Sequence, residues 1–284
     1  MLDKPAGVSS AAAVERVKRA LRADRAGHGG TLDPIATGVL AVCVGEATKL
    51  AGYLLADDKA YEAEIVLGVE TDTLDRTGAV TRERPWDHVT REAIERALAG
   101  RRGEQAQIPP MYSAIKRGGE ALYKQARRGE VVEREPRQIR IDRLDLLDFA
   151  PPRARLAIAC SKGTYVRSLV ADLGEDLGAG AHLAELRRTR SGAFAIEDAQ
   201  TLMAIEAAPD RAQLVAKERV VRLPAVVVVP DRVRSVLSGV QHAAELLGAP
   251  AGGEQFQLLD EAGTLLAIAH TQGGRIVYDR VFPA

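Results

Sequence analysis

The 284-residue chain has two cysteines, Cys43 and Cys160, far apart and each in an apolar, strand-like run. That pair builds neither a disulfide framework nor a zinc site, and both are expected as buried, reduced thiols. The five histidines form no i, i+4 pair and no carboxylate–histidine ligand pattern, so no metal is expected. No apolar run approaches the roughly 20 residues that a membrane span needs. The opening Met1-Leu2-Asp3-Lys4-Pro5 lacks the charged-then-apolar pattern of a leader, which predicts a cytoplasmic protein. An excess of either charge is missing too, with 39 Lys and Arg against 39 Asp and Glu. That balance alone gives no support for nucleic-acid binding.

The distribution of charge says more than its sum. Arg16, Lys18, Arg19, Arg22 and Arg25 crowd one early segment. A second cluster holds Lys116, Arg117, Lys124, Arg127, Arg128, Arg134, Arg137, Arg140 and Arg143, and a third Arg187, Arg188 and Arg190. Any single cluster reads first as a solvated face. Three of them flanking the motif loops favour an anionic partner. Length and ordinary apolar content predict one or two folded domains with a real core.

The stretch Arg25-Ala26-Gly27-His28-Gly29-Gly30-Thr31-Leu32-Asp33-Pro34-Ile35-Ala36-Thr37-Gly38 organises the rest. Glycines at this density allow φ > 0 turns and close approach to a ligand. Pro34 biases Asp33 to extended geometry and so holds its carboxylate on a loop. A rigid loop presenting a carboxylate at the mouth of a buried strand suits a nucleophile or a general base. The alternative is a tight turn whose aspartate caps a backbone amide.

Around the loop, Ser9 and Ser10 are N-cap candidates for a helix to about Leu21, ended by Gly27. Gly38 to Val44 reads as one buried strand, followed by a short helix from about Ala47 to Leu55. Lys59 to Leu67 is a period-2 strand with Tyr61, Ala63, Ile65 and Leu67 on one face and Glu62 and Glu64 on the other. Tyr61 opens that strand, where a ring can cover a site. Gly68 to Gly78 is rich in Asx and Thr turn formers. Thr90 caps a helix ending at Gly100. Residues 108–137 read as an arm that clamps a partner, or else as a solvated helical hairpin. Arg155 to Cys160 is a strand, and Thr164 is expected to cap a helix with Val166, Leu169, Val170 and Leu173 on one face. Arg167 falls in its first turn, where a cation opposes the helix dipole and calls for a carboxylate partner. Ala181 to Arg188 fits helix or strand. From about Leu223 the texture turns to short strands with Gly turns, a small β-rich domain.

Asp33, Tyr61 and Arg167 form a constellation, since an Arg–Asp pair would keep the aspartate ionised and oriented and a tyrosine can stack on a base. With these residues in place, the chain resembles the TruB family of tRNA pseudouridine synthases, which act on uridine 55 of the T loop. The resemblance rests on Leu2-Asp3-Lys4-Pro5, the Gly27–Gly38 loop, Lys59-Ala60-Tyr61, Gly68 to Gly78, Ile108 to Lys116, and Lys162-Gly163-Thr164-Tyr165-Val166-Arg167.

The resemblance implies an α+β (mixed α/β) fold with a central mixed, largely antiparallel sheet. It implies a catalytic domain over 1–222, a thumb insertion at about 108–137, and a small PUA-like C-terminal domain over 223–284. Asp33 matches the catalytic aspartate, Tyr61 the tyrosine that stacks on the flipped uracil, and Arg167 the arginine paired with the aspartate. His28 matches the histidine that inserts into the T loop, Tyr165 and Leu186 the lining of the uridine pocket, and Lys4-Pro5 a support beneath it. No cofactor or metal is implied. The expected partner is the T stem-loop of tRNA, bound by a monomer without guide RNA or protein partner, with the basic clusters on backbone phosphates. Gly29 stands where the family carries a small hydroxyl residue, and the strand before Lys4-Pro5 is almost absent.

Three other readings compete. An RNA-binding, tRNA-folding module without catalysis is disfavoured by the intact Asp33, Tyr61 and Arg167. A guide-RNA-dependent synthase is disfavoured by the thumb. A phosphate-binding glycine loop fails because no Gly-Lys-Ser/Thr ending follows and the loop leads into a strand.

Overall fold

Strand Lys59–Leu67 is flanked on both edges, by Ala181–Ser191 and by Arg153–Cys160, each antiparallel to it. The computed structural model describes residues 1–113, 115–130 and 132–283. From one edge the central sheet runs Gln200–Thr201, Leu2–Lys4, Thr37–Leu40, Ala181–Ser191, Lys59–Leu67, Arg153–Cys160, Arg137–Ala150 and Gly103–Gln107. Phe194–Ala195 pairs off this path with Ala181–Ser191. Two pairings are parallel, Leu2–Lys4 with Gln200–Thr201 and Thr37–Leu40 with Ala181–Ser191. The fold is thus α+β around a mixed, largely antiparallel sheet. The strand before Pro5 is short but is paired on both sides.

The period-2 pattern of the Tyr61 strand decides which face is covered. Ala63, Ile65 and Leu67 are buried in one cluster with Ala13 and Val17, Ile94 and Leu98, and Val166, Leu169, Val170 and Leu173 of three helices. These helices are Ser10–Ala20, Arg91–Gly100 and Val166–Asp176. Each fully buried Leu or Ile there contributes about 1.5–3 kcal/mol of transfer free energy. On the opposite face Glu62 pairs with Arg155 and Glu64 with Arg153, so charge alternates with apolar residues along the strand.

Ser9 caps the first helix and Thr90 the second, accepting from the Ala12 and Ala93 amides at 3.2 Å each. Gly27 does not end the first helix. It stops at Ala20, Arg22 turns the chain at φ +50, and Gly27 lies in strand Ala26–His28, paired with Val42–Val44. The run from Gly38 to Val44 is divided accordingly. Thr37–Leu40 serves the central sheet and Val42–Val44 the small ribbon, with a one-residue break at Ala41. The segment Gly45–Leu50 is 3-10 helix and continues as α-helix over Ala51–Leu55.

The C-terminal part forms its own sheet, Ala225–Val227, Gln255–Leu259, Leu265–Gln272 and Arg275–Val281, with a separate core around Phe256, Leu258 and Val236. Phe282 returns to a small cluster with Leu50, Val221, Leu265 and Ile268, and the Lys49 ammonium donates to the Val281 carbonyl at 2.6 Å. Within residues 108–137, Lys116–Arg117 and Glu120–Ala121 pair around Gly118-Gly119, followed by helix Leu122–Arg127. Ala114, Val131 and the side chains of Lys116, Arg117, Tyr123, Lys124 and Arg127, on which the clamping arm was expected to rely, lie outside the described residues. Among the described residues no helix is long and apolar enough to cross a membrane, and no group of His, Cys, Asp and Glu is placed to hold a metal.

Candidate active site

Asp33 sits at a turn whose backbone is held from four directions. Upstream, the Ser10 hydroxyl accepts from the Leu32 amide and donates to the Leu32 carbonyl, each at 2.8 Å. Downstream, the Pro34 carbonyl accepts from the Gly7 amide at 2.8 Å and from the Lys4 ammonium at 3.5 Å. The turn closes on itself through the Ala36 amide and the Asp33 carbonyl, 3.0 Å. On the far side, the Arg188 guanidinium donates to the carbonyls of Val39 (2.6 Å), Gly30 (3.2 Å) and Thr31 (3.4 Å). Gly38 is required for this packing. At φ +100 it lies so near the Ala181–Ser191 strand that a Cβ there would stand 2.2 Å from the Arg188 carbonyl.

Into this rigid turn projects Arg167. Its Nε is 2.8 Å from Asp33 Oδ2 and 3.8 Å from Asp75 Oδ2. Its two terminal nitrogens donate to the carbonyls of Thr73 (3.0 Å) and Tyr112 (2.9 Å). The Arg167 side chain is 4% exposed and that of Asp33 35%, so the cation is enclosed and the carboxylate stays open on one side. Asp75 is enclosed too. Its Oδ1 accepts from the hydroxyls of Thr73 and Thr77 and from the Thr77 amide, at 2.6–2.9 Å. A first-turn arginine therefore has two carboxylates against the helix dipole, where the sequence called for one.

The expected cap at Thr164 is absent. Its hydroxyl donates to the Ser161 carbonyl, and Tyr165 precedes the helix with no side-chain cap. Gln107 takes over. Its amide oxygen accepts from the Tyr165 N–H at 2.8 Å and its NH2 donates to the Tyr165 carbonyl at 3.0 Å. Tyr165 is thereby pinned beside Ser113, and burial pushes its phenol up.

Tyr61 lies directly across from Arg188 in the sheet, and Leu186 across from Ala63. The Tyr61 phenol is pushed up by burial, with Arg188 opposing. The Asp33 charge raises both the Tyr61 and the Tyr165 phenol, as a smaller cause beside burial. Lys4 is fully buried, donating to the Pro5 and Val8 carbonyls at 2.9 and 2.7 Å, and burial brings its ammonium down to about 8. Pro5 itself is exposed. His28 sits in the ribbon rather than on the free loop, half-buried, with its pKa lowered by burial and then by Arg188.

The basic clusters are less free than their sequence implied. Arg16 pairs with Glu206, Arg187 with Asp3, Arg128 with Glu120 and Glu130, and Arg140 with Asp142 and Asp58. Arg188 is 1% exposed and cannot reach a phosphate. Ser10, Asp75, Gln107 and Arg188 are the site-building residues that sequence reasoning missed. Only Asp75 carried a signal, as an acid among the threonines of the Gly68–Gly78 loop.

A partly open carboxylate, two rings and an enclosed guanidinium can attack, stack upon and orient a planar substrate. Comparison with known proteins gives the arrangement a family. The model of the TruB family pseudouridylate synthase N-terminal domain matches residues 18–166, and that of the tRNA pseudouridylate synthase B C-terminal domain residues 167–235. The proteins named tRNA pseudouridine synthase B from Stutzerimonas stutzeri (strain A1501) and Pseudomonas aeruginosa (strain UCBPP-PA14) are 56% and 55% identical over 206 residues, 72% of this chain and 67% of each relative. Among solved structures, the chain is similar to one in a Cbf5–Nop10–Gar1 complex, at 27% identity and TM-score 0.75 over 99% of this chain and 84% of that one. It is also similar to a chain in an H/ACA RNP bound to a substrate RNA containing 2′-deoxyuridine, at 26% identity and TM-score 0.73 over 100% and 84%. With both family models matched in succession and relatives above half identity, the chain belongs to the TruB family of pseudouridylate synthases.

Proposed function

We propose that this chain converts uridine 55 in the T loop of tRNA to pseudouridine, with Asp33 as nucleophile. The observation that carries the reading is the Asp33–Arg167 pair at 2.8 Å, an enclosed guanidinium on a carboxylate that stays 35% exposed. In this reaction the bond from C1′ to N1 breaks and a bond from C1′ to C5 forms. The C5 proton is lost and N1 takes one up, so no oxidant or cofactor is consumed. Asp33 detaches the base, Tyr61 stacks on it while it turns, and Tyr165 and Leu186 line the pocket. Lys4 and Pro5 support the loop from beneath.

A uridine inside a folded loop has to be flipped out, at a cost of a few kcal/mol. His28 and the thumb at 108–137 are assigned to holding the T loop open. Exposed basic residues such as Arg19 and Arg22 would meet phosphates, giving position rather than sequence reading. The catalytic unit is taken as 1–222 and the PUA-like unit as 223–284. A monomer acting in the cytoplasm without guide RNA is proposed; in support of action on tRNA, the 55–56% relatives carry the name tRNA pseudouridine synthase B, while the likeness to chains of a Cbf5–Nop10–Gar1 complex and an H/ACA RNP is 26–27%.

Unmodified tRNA transcript incubated with wild type and with Asp33→Asn, then mapped with carbodiimide, tests this. Modification at the T-loop uridine by wild type alone is the expected result. Tight binding without product from wild type would leave an RNA-folding module in place of the enzyme.

A further inference from the structure

Residues 107–112 lead from the edge strand Gly103–Gln107 into the segment taken as the thumb, and they are fastened to the start of helix Val166–Asp176 at three points. The Gln107 side chain holds Tyr165 by its N–H and its carbonyl, at 2.8 and 3.0 Å. The Ser168 hydroxyl donates to the Ile108 carbonyl at 3.0 Å, and Arg167 donates to the Tyr112 carbonyl at 2.9 Å. Gln107 and Ser168 are both buried. A helical serine commonly bonds a carbonyl one turn back in its own helix, whereas Ser168 reaches out of the helix to the thumb root.

The root itself is stiff. Pro109 and Pro110 are buried, their rings fix φ, and their nitrogens have no hydrogen to donate. On the returning limb, Arg134 donates to the Pro109 carbonyl at 3.0 Å, so outgoing and returning chain meet there. A guanidinium is planar and rigid, so its contacts are not independent of one another. Nε of Arg167 faces Asp33 while a terminal nitrogen of the same plane is held by Tyr112, and a shift of the Tyr112 carbonyl would turn the group away from the carboxylate.

We infer that Ser168 and Gln107 are positioning residues. They lock the thumb root to the first turn of the Arg167 helix, so that the Tyr112 carbonyl, and with it the guanidinium on Asp33, keeps its place while the thumb is loaded by RNA. Neither residue grips the RNA, and both act through Arg167. The inference rests on the assignment of Asp33 as nucleophile and of the thumb to the T loop.

The test is single-turnover release of tritium from tRNA labelled at uridine C5, with wild type, Ser168→Ala, Arg167→Lys and the double variant, alongside tRNA affinity by filter binding. Ser168→Ala is expected to slow release about tenfold with affinity within about threefold of wild type, and the double variant to be no slower than Arg167→Lys. Release at the wild-type rate from Ser168→Ala, a loss confined to affinity, or losses that multiply in the double variant would overturn the inference. Absence of release by wild type would remove the reaction assignment, and the inference with it. Should Ser168→Ala fail to fold, Gln107→Glu takes its place. It keeps the acceptor for the Tyr165 N–H and gives up the donor to the Tyr165 carbonyl. The same slow release at unchanged affinity is expected, and release at the wild-type rate overturns the inference.

Discussion

Arg167 reaches Asp33 at 2.8 Å from the first turn of a helix that begins far along the chain, and the same nitrogen, Nε, lies 3.8 Å from Asp75. One enclosed cation thus orients an open carboxylate while a second, closed carboxylate orients the cation. Because Asp75 Oδ1 is already committed to two threonines and an amide, the direction of the guanidinium is set before substrate arrives.

Asp75→Asn keeps an acceptor for those donors and removes the charge that Arg167 faces. Single-turnover pseudouridine formation is expected to fall about 10- to 100-fold, with tRNA affinity within about threefold of wild type. Rates equal to wild type would mean that Asp33 and the Thr73 and Tyr112 carbonyls hold Arg167 without Asp75.

Gly29 has no room for a side chain, because a Cβ there would stand 2.3 Å from Leu54 Cβ. A serine or threonine at this position is therefore incompatible with Leu54 as it is packed here. Gly29→Ser is expected to destabilise by about 1–3 kcal/mol. Combined with Leu54→Ala it should cost less than the sum of the two single changes, measured by urea denaturation. Strict additivity would show that the clash is relieved by backbone movement.

Lys4 gives stability a pH dependence. Its folded pKa is about 8 against 10.5, with burial the largest cause, Asp33 opposing and Arg188 adding. Between these values the unfolded chain holds the extra proton, so this contribution to stability rises with pH. The penalty is full below pH 8 and relieved by 10.5, worth at most about 3 kcal/mol. Urea titrations of wild type and Lys4→Met at about pH 7.5 and about pH 10 should show wild type gaining on the variant as pH rises. A constant gap would place the ammonium in contact with water.

Cys43 and Cys160 are free, buried and both pushed up to about 11 by burial. Since the thiolate is the reactive form, neither should alkylate with iodoacetamide in the folded protein at about pH 8, and both should in urea. Mass spectrometry reads this directly, and labelling of the folded chain would show local opening around either strand.

Local pattern carried much of the fold. Serine and threonine before an apolar period marked two helix starts, because a cap needs only its own neighbours. The alternation from Tyr61 to Leu67 marked a half-covered strand and its inward face, because a period of two has no helical equivalent. The Asp33–Arg167 pair was legible in the same way, each residue standing out in its own stretch. Thr164 misled, since a residue suited to capping was bonded to Ser161 while Gln107 from a distant strand held Tyr165.

What tertiary structure alone decided was pairing across distance. Ala181–Ser191 is a strand because Lys59–Leu67 and Thr37–Leu40 offer it hydrogen bonds on both edges, which no local propensity encodes. The same pairing carries Arg188 against the carbonyls of the Asp33 loop and turns a nominal surface cation into a buried one. Ser10 left the role of cap to Ser9 and clamped Leu32, and Asp75 joined Arg167, for the same reason. Side chains with polar atoms can be buried only where distant backbone satisfies them, and sequence specifies the atoms but not their neighbours.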